Sequence, residues 1–232
     1  MPFRKKNDKF LLPFGLSLER GRCGAAVKEF GEWYNVKAIK NAPYDYGLII
    51  VASRERLFPL FMSLSEFADE PCVAFFIHYL PRPEMAFTSD ELPKRELLDA
   101  FTRHSFQLVN DGFVSFGISS DEIEISVEDH KEFIVFCKSS RQVLAVLDEY
   151  GIPMKPGTKW IHDVEHVHVP IHMLFDDPMV MHASEPVPKE ELRKYNSDPK
   201  GYSDFYVDFI KRLRMRPAED YAPKQRDHVH PG

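Results

Sequence analysis

Five of the ten histidines, His162, His166, His168, His172 and His182, lie in the segment Trp160–His182, interleaved with Asp163, Glu165, Asp176 and Asp177. Neutral imidazole and carboxylate are the side chains that bind borderline divalent transition metals. An extended backbone over residues 164–173 would put His166, His168 and His172 on one face. Val167, Val169, Ile171 and Met173 would then face the core, because side chains alternate along a strand. His162 shares the parity of the other histidines. In a His-x-His pair the Cα atoms are roughly 6.6–6.8 Å apart, near enough for both rings to reach one ion. The expected centre is His166, His168, His172 and Asp176, with Asp177 or His182 as alternatives. It would take Zn, Fe, Ni or Mn rather than Ca, which prefers oxygen ligands. With Asp176 or Asp177 as ligand or base, the chain would be a metal-dependent hydrolase.

A second grouping is acidic. Asp121, Glu122, Glu124 and Asp129, with Glu128, surround a pair of predicted strands and could form a docking surface for a basic partner. The same charges also suit the solvated turns of an amphipathic sheet. Cys23, in Gly-Arg-Cys-Gly, has Arg22 beside it to lower a thiol pKa, but no histidine is matched to it. Lys211, Arg212, Arg214 and Arg216 form a basic stripe at a helix C-terminus, where the dipole favours cations. No phosphate-binding glycine loop, nucleophile elbow or paired Cys-x-x-Cys occurs in the sequence.

The elements that must position these residues centre on 112–153. Val114, Phe116 and Ile118, then Ile123, Ile125 and Val127, alternate with smaller or polar residues, and residues 133–137 are apolar on both faces. The short intervening turns make three antiparallel strands, the third lying innermost. Ser139 or Ser140 then caps a helix carrying Val143, Leu144, Leu147 and Tyr150, which ends at Gly151 and Pro153. Upstream, the pattern predicts an arm resting on Phe10, Leu11, Leu12 and Phe14, and a helix over 23–40. A strand over 47–52 should lead into a helix capped by Ser53, followed by a strand over 72–80. A further helix to His104 has Thr88 and Glu91 at capping-box spacing. Downstream, two helices are expected over 189–195 and 203–215.

These elements make an α+β protein: a mainly antiparallel sheet with helices on one face in a core domain over 1–153, and a Pro/His-rich extension over 154–232 wrapped on it. A chain of 232 residues buries enough surface to fold without disulfides, and its 19 Phe supply an aromatic core. Three widely spaced cysteines imply free thiols in a reducing compartment, and no apolar run is long enough to span a membrane. Cytoplasmic localisation is the expectation. A net charge of -6 argues against nucleic acid as partner. The leading functional expectation is a noncatalytic protein that binds another protein, of immunity or antitoxin type. The alternative is the metal-dependent hydrolase built on residues 162–182. Convergence of the histidines with polar partners behind them would favour the metal enzyme, and rings fanned along an exposed strand would favour the binding module.

Overall fold

In a computed structural model the described residues are 10–18, 26–27, 30–40, 42–80, 85–155, 158, 160–176 and 187–218. In chain order they form β1 (Phe10–Leu11), β2 (Leu16–Leu18), β3 (Ala26–Val27), β4 (Trp33–Ala38), β5 (Tyr46–Val51), α1 (Arg54–Ser65), β6 (Val73–His78) and β7 (Met85–Thr88). Next come α2 (Lys94–Arg103), α3 (Ser105–Asn110), β8 (Val114–Ser119), β9 (Ile123–Val127), β10 (Glu132–Cys137) and α4 (Ser140–Glu149). The chain continues through a 3-10 turn at Ile161–Asp163, β11 (His166–His168), α5 (Met173–Asp176), α6 (Lys189–Ser197), α7 (Pro199–Ser203), α8 (Phe205–Arg212) and β12 (Arg216–Pro217).

Eight strands make one sheet in the order β12-β7-β6-β8-β9-β10-β5-β4, every neighbouring pair antiparallel. The fold is thus α+β as the sequence implies, with the three strands β8–β10 at the middle of the sheet. Period-two alternation sends Leu48, Ile50, Phe76, Phe116, Ile118, Ile125, Phe133 and Val135 to one face. There they bury against Leu57, Leu60 and Phe61 of α1, Leu97 and Phe101 of α2, Val143 and Leu147 of α4, and Phe205 and Phe209 of α8. Edge-to-face rings tie these layers together: Phe61 lies 5.0 Å from Phe101 and 5.2 Å from Phe116 between centroids, and Phe101 lies 5.2 Å from Phe209.

The opposite face carries a second apolar cluster at its β5–β4 end. Trp33 and Val51, paired in register, point there and pack in this cluster with Phe10, Leu12, Leu16, Phe30, Trp160 and Ile161. This outer layer is assembled from both flanks of the chain: β1 pairs β3, and β2 pairs β11.

Three expectations need correcting. Residues 26–27 and 33–38 are strands where the pattern predicts a helix, because Trp33–Ala38 finds six backbone partners along the edge of β5 and tertiary pairing overrides a 3.6-residue apolar spacing. Thr88 ends β7, a strand not expected so close to Pro81 and Pro83, and α2 starts after Pro93 with no capping box; Ser89 accepts a hydrogen bond from the Ala74 amide instead. The helix expected over 203–215 is present but shorter, as α8 from Phe205 to Arg212, and a separate turn precedes it, α7, capped by Asp198, which accepts from the Gly201 amide at 2.9 Å.

Candidate metal centre

Between β9 and β10 the chain reverses in the four residues Glu128–Lys131, closed by the Glu128 amide donating to the Glu132 carbonyl and the Lys131 amide donating to the Glu128 carbonyl, each at 2.9 Å. Lys131 takes a left-handed backbone, φ 59°. Its side chain turns fully into the protein and donates from Nζ to the carbonyls of Val114 at 2.7 Å and Leu108 at 3.2 Å. Those two bonds hold a conformation that a non-glycine residue rarely adopts. With Lys131 directed inward, its neighbour His130 sits on the outer side of the turn, its ring Nδ1 3.0 Å from Asp129 Oδ1.

The extension meets this turn from above. β11 pairs with β2 so that His166 is opposite Leu18 and His168 opposite Leu16. The Val169 amide donates to Gly15 O at 2.8 Å, and the Gly112 amide donates to Val169 O at 3.0 Å. Side-chain parity is as the spacing predicts, but the faces are exchanged: Val167 is 51 % exposed, while His166 and His168 are half-buried and face the turn. The reason is chemical. What lies beneath β11 is the polar turn and the Gly112 carbonyl, which imidazoles can satisfy and valine cannot.

His130, His166 and His168 converge from separate segments. Their ring centroids are 4.9, 4.8 and 5.1 Å apart, and one nitrogen from each lies within 4.8 Å of the other two. Each ring has its Nδ1 beside an oxygen: His166 on Val164 O at 2.8 Å, His168 on Gly112 O, His130 on Asp129. A carbonyl or carboxylate only accepts, so these Nδ1 atoms are donors, and a ring that donates from Nδ1 alone keeps its lone pair on Nε2. His166 Nε2 and His168 Nε2 stand 3.1 Å apart. Two lone pairs at that distance repel unless a proton or a cation lies between them. Two nitrogens on a tetrahedral ion at 2.0–2.1 Å would be roughly 3.3 Å apart. Oxygen acceptors behind the distal nitrogens are the arrangement that orients metal-binding histidines.

Electrostatics favour the same ion. Burial pushes His168 below the usual histidine pKa despite the Gly112 hydrogen bond and Asp129, which keeps it in the neutral form a metal needs. For Asp129 burial works upward, but the His130 hydrogen bond and the Lys131 charge help hold its carboxyl below the usual range. Alongside, His162 lies with its ring centroid 6.0 Å from His130 and its Nδ1 3.4 Å from Glu132, whose hydrogen bond raises the His162 pKa.

Of the residues expected as ligands, His166 and His168 are brought together and His172 is not: it is exposed and outside the cluster. The chain leaves the extended form at Pro170–Ile171, which turns His172 away from the shared face. Asp176 ends α5, and its side chain, like Asp177 and His182, lies outside the described residues. The member of the cluster that sequence reasoning missed is His130. Its local signal, Asp-His-Lys between two strong strands, is that of an ordinary turn.

The acidic group divides. Asp121 and Glu122 occupy the β8–β9 turn, with Glu122 2.9 Å from Lys138, and Glu124 lies 3.5 Å from Ser119 Oγ. Asp121 lines an open groove with Tyr44, Asp69, Glu70, Glu91 and Lys138. Asp129 is at the other end of β9, so it belongs to the histidine cluster rather than to that surface. Cys23 lies outside the described residues. Cys72 and Cys137 are buried, which raises both thiols, Cys137 to about 11, and unsuits them as nucleophiles. Three of the four residues of the basic stripe are paired within the molecule, Arg212 with Asp208, Arg214 with Glu96 and Arg216 with Asp90.

Among the described residues no helix is long and apolar enough to cross a membrane. Compared with protein-family models, curated proteins and solved structures, the chain finds no match.

Proposed function

We propose that the protein binds a divalent transition metal, zinc foremost, through Nε2 of His130, His166 and His168, and that the centre serves hydrolysis. The observation that carries this reading is the convergence of three imidazoles whose distal nitrogens are all engaged by oxygen. Three protein ligands leave a tetrahedral ion one position for water or substrate, the stoichiometry of catalytic rather than closed structural zinc sites. A metal in that position would polarise a carbonyl or phosphoryl oxygen and acidify a bound water. The chain's own part is to orient the three rings, with Gly112 and Asp129 fixing tautomers, and to place the Glu132–His162 pair beside them for proton handling. Iron, nickel and manganese are the alternatives that histidine ligation admits.

The test is metal content by mass spectrometry on untagged protein purified without chelator, beside His130→Gln and His166→Gln. One equivalent of metal in the parent, lost by at least tenfold in either variant, is the expected result and would justify a screen of ester, amide and phosphoester substrates. Metal-free protein whose melting temperature ignores added Zn, Ni, Mn and Fe would reject the reading.

A second reading follows from the groove at Asp121. Carboxylates of Asp69, Glu70, Glu91 and Asp121 along one open cleft favour a basic protein partner. An Asp69→Lys, Asp121→Lys double variant would abolish capture of such a partner while leaving metal content unchanged.

A further inference from the structure

The outer layer is thin, and among the described residues its strand pairing to the extension is short. β2 and β11 pair over three residues, and neither belongs to the eight-stranded sheet. Beneath them the layer rests on the second apolar cluster, in which Trp160 is 5.7 Å from Phe10 and 5.4 Å from Phe30 between ring centroids. At its rim, the arm, the sheet and the extension meet backbone to backbone. Gly15, Gly112 and Val169 are linked by consecutive hydrogen bonds, and a Cβ on Gly112 would collide with Gly15 O and come 2.8 Å from Val169 N. The histidine cluster spans this same junction. His130 belongs to the β9–β10 turn of the main sheet, whereas His166 and His168 belong to the outer layer.

An ion shared by those three rings cannot be kept if the two layers part. We propose that the metal is a latch: its binding holds β1, β2 and residues 160–169 on the sheet, and its loss lets that layer open as a unit while the sheet and helices stay folded. The proposal rests on the metal reading above. Every opening that separates His130 from β11 becomes rarer by the factor 1 + [M]/Kd, about a hundredfold at a hundred times Kd. The arm must follow the extension because β2 has β11 as its strand partner and Val169 holds Gly15.

Both tryptophans of the chain sit in the second apolar cluster, Trp33 on the sheet side and Trp160 on the outer layer, so tryptophan emission excited selectively reports the contact between the two. The experiment compares the full chain with one equivalent of zinc and after chelation, by tryptophan emission and by hydrogen exchange with mass spectrometry, metal content being measured on each sample. Zinc should slow exchange at least tenfold in 10–18 and 160–169 and less than twofold in β8 and β9. Chelation should shift tryptophan emission to the red. His130→Gln with zinc should behave as the chelated parent does. Stoichiometric zinc with unchanged exchange in the outer layer, or with equal slowing everywhere, would overturn the latch and leave the metal centre standing. Protein that takes up no zinc would overturn both.

Discussion

Lys131 is the residue on which the centre's geometry turns. It is fully buried, its Nζ supplies two carbonyls with a donor, and burial lowers its pKa to about 8 against the upward pull of Asp111, Asp129 and Glu128. The unfolded chain keeps its lysine protonated to a pKa near 10.4. Between about pH 8 and that value the unfolded state therefore binds more protons, and this residue makes stability rise with pH. Urea unfolding of the metal-free protein at pH 7.5 and 9.5 should show the gain, and Lys131→Met should lack it. Lys131→Ala should cost about 3 kcal/mol at pH 7.5, from two orphaned carbonyls and a cavity. Among the functional residues, the His-x-His pair was legible because its spacing alone places two rings on one side of a strand. His130 was not, since one histidine in a turn has no periodicity to betray it.

At the level of elements, β11 and the 110–113 loop decide whether two histidines become three. The loop carries Asp111, which accepts hydrogen bonds from the Phe113 amide at 2.8 Å and, across 60 residues, from the Ile171 amide at 3.1 Å. It also offers the Gly112 carbonyl to His168. Gly112→Ala would force this loop from Gly15 and Val169 and carry the His168 acceptor with it. Zinc affinity, measured by competition with a chromophoric chelator, should fall at least tenfold although no ligand is changed; an unaltered affinity would separate the loop from the site. The middle strands and α4 were readable from alternation and a serine followed by an amphipathic run. β4, at one edge, and β7, next to the other, were not, because such peripheral strands depend on a neighbour to choose extended backbone over helix.

The whole molecule should be acid-sensitive through histidines outside the three-histidine cluster. Burial lowers His78, with Asp111 and Asp204 opposing it, and burial lowers His104 despite its 3.0 Å contact with Asp208. Both rings are kept neutral in the fold. Their contribution is complete above the unfolded pKa near 6.5 and is lost as pH falls toward their folded values. His162 acts in the other sense: its raised pKa stabilises below pH 6.5 and fades as pH rises, but its 41 % side-chain exposure weakens it. Metal-free protein should thus show a lower urea midpoint at pH 5.5 than at 7.5, with a smaller difference in His104→Gln.

By itself the sequence determined what local chemistry determines: an antiparallel α+β architecture, the central strands, and a histidine pair with one shared face. Those follow from side-chain alternation, turn residues and apolar spacing, which act over a few neighbours. The tertiary structure alone decided which face those histidines take, that His172 is excluded, and that His130 joins them. These depend on the packing of chain flanks onto the far side of a sheet, which brings His130 against His166, 36 residues on, a contact that no local pattern encodes.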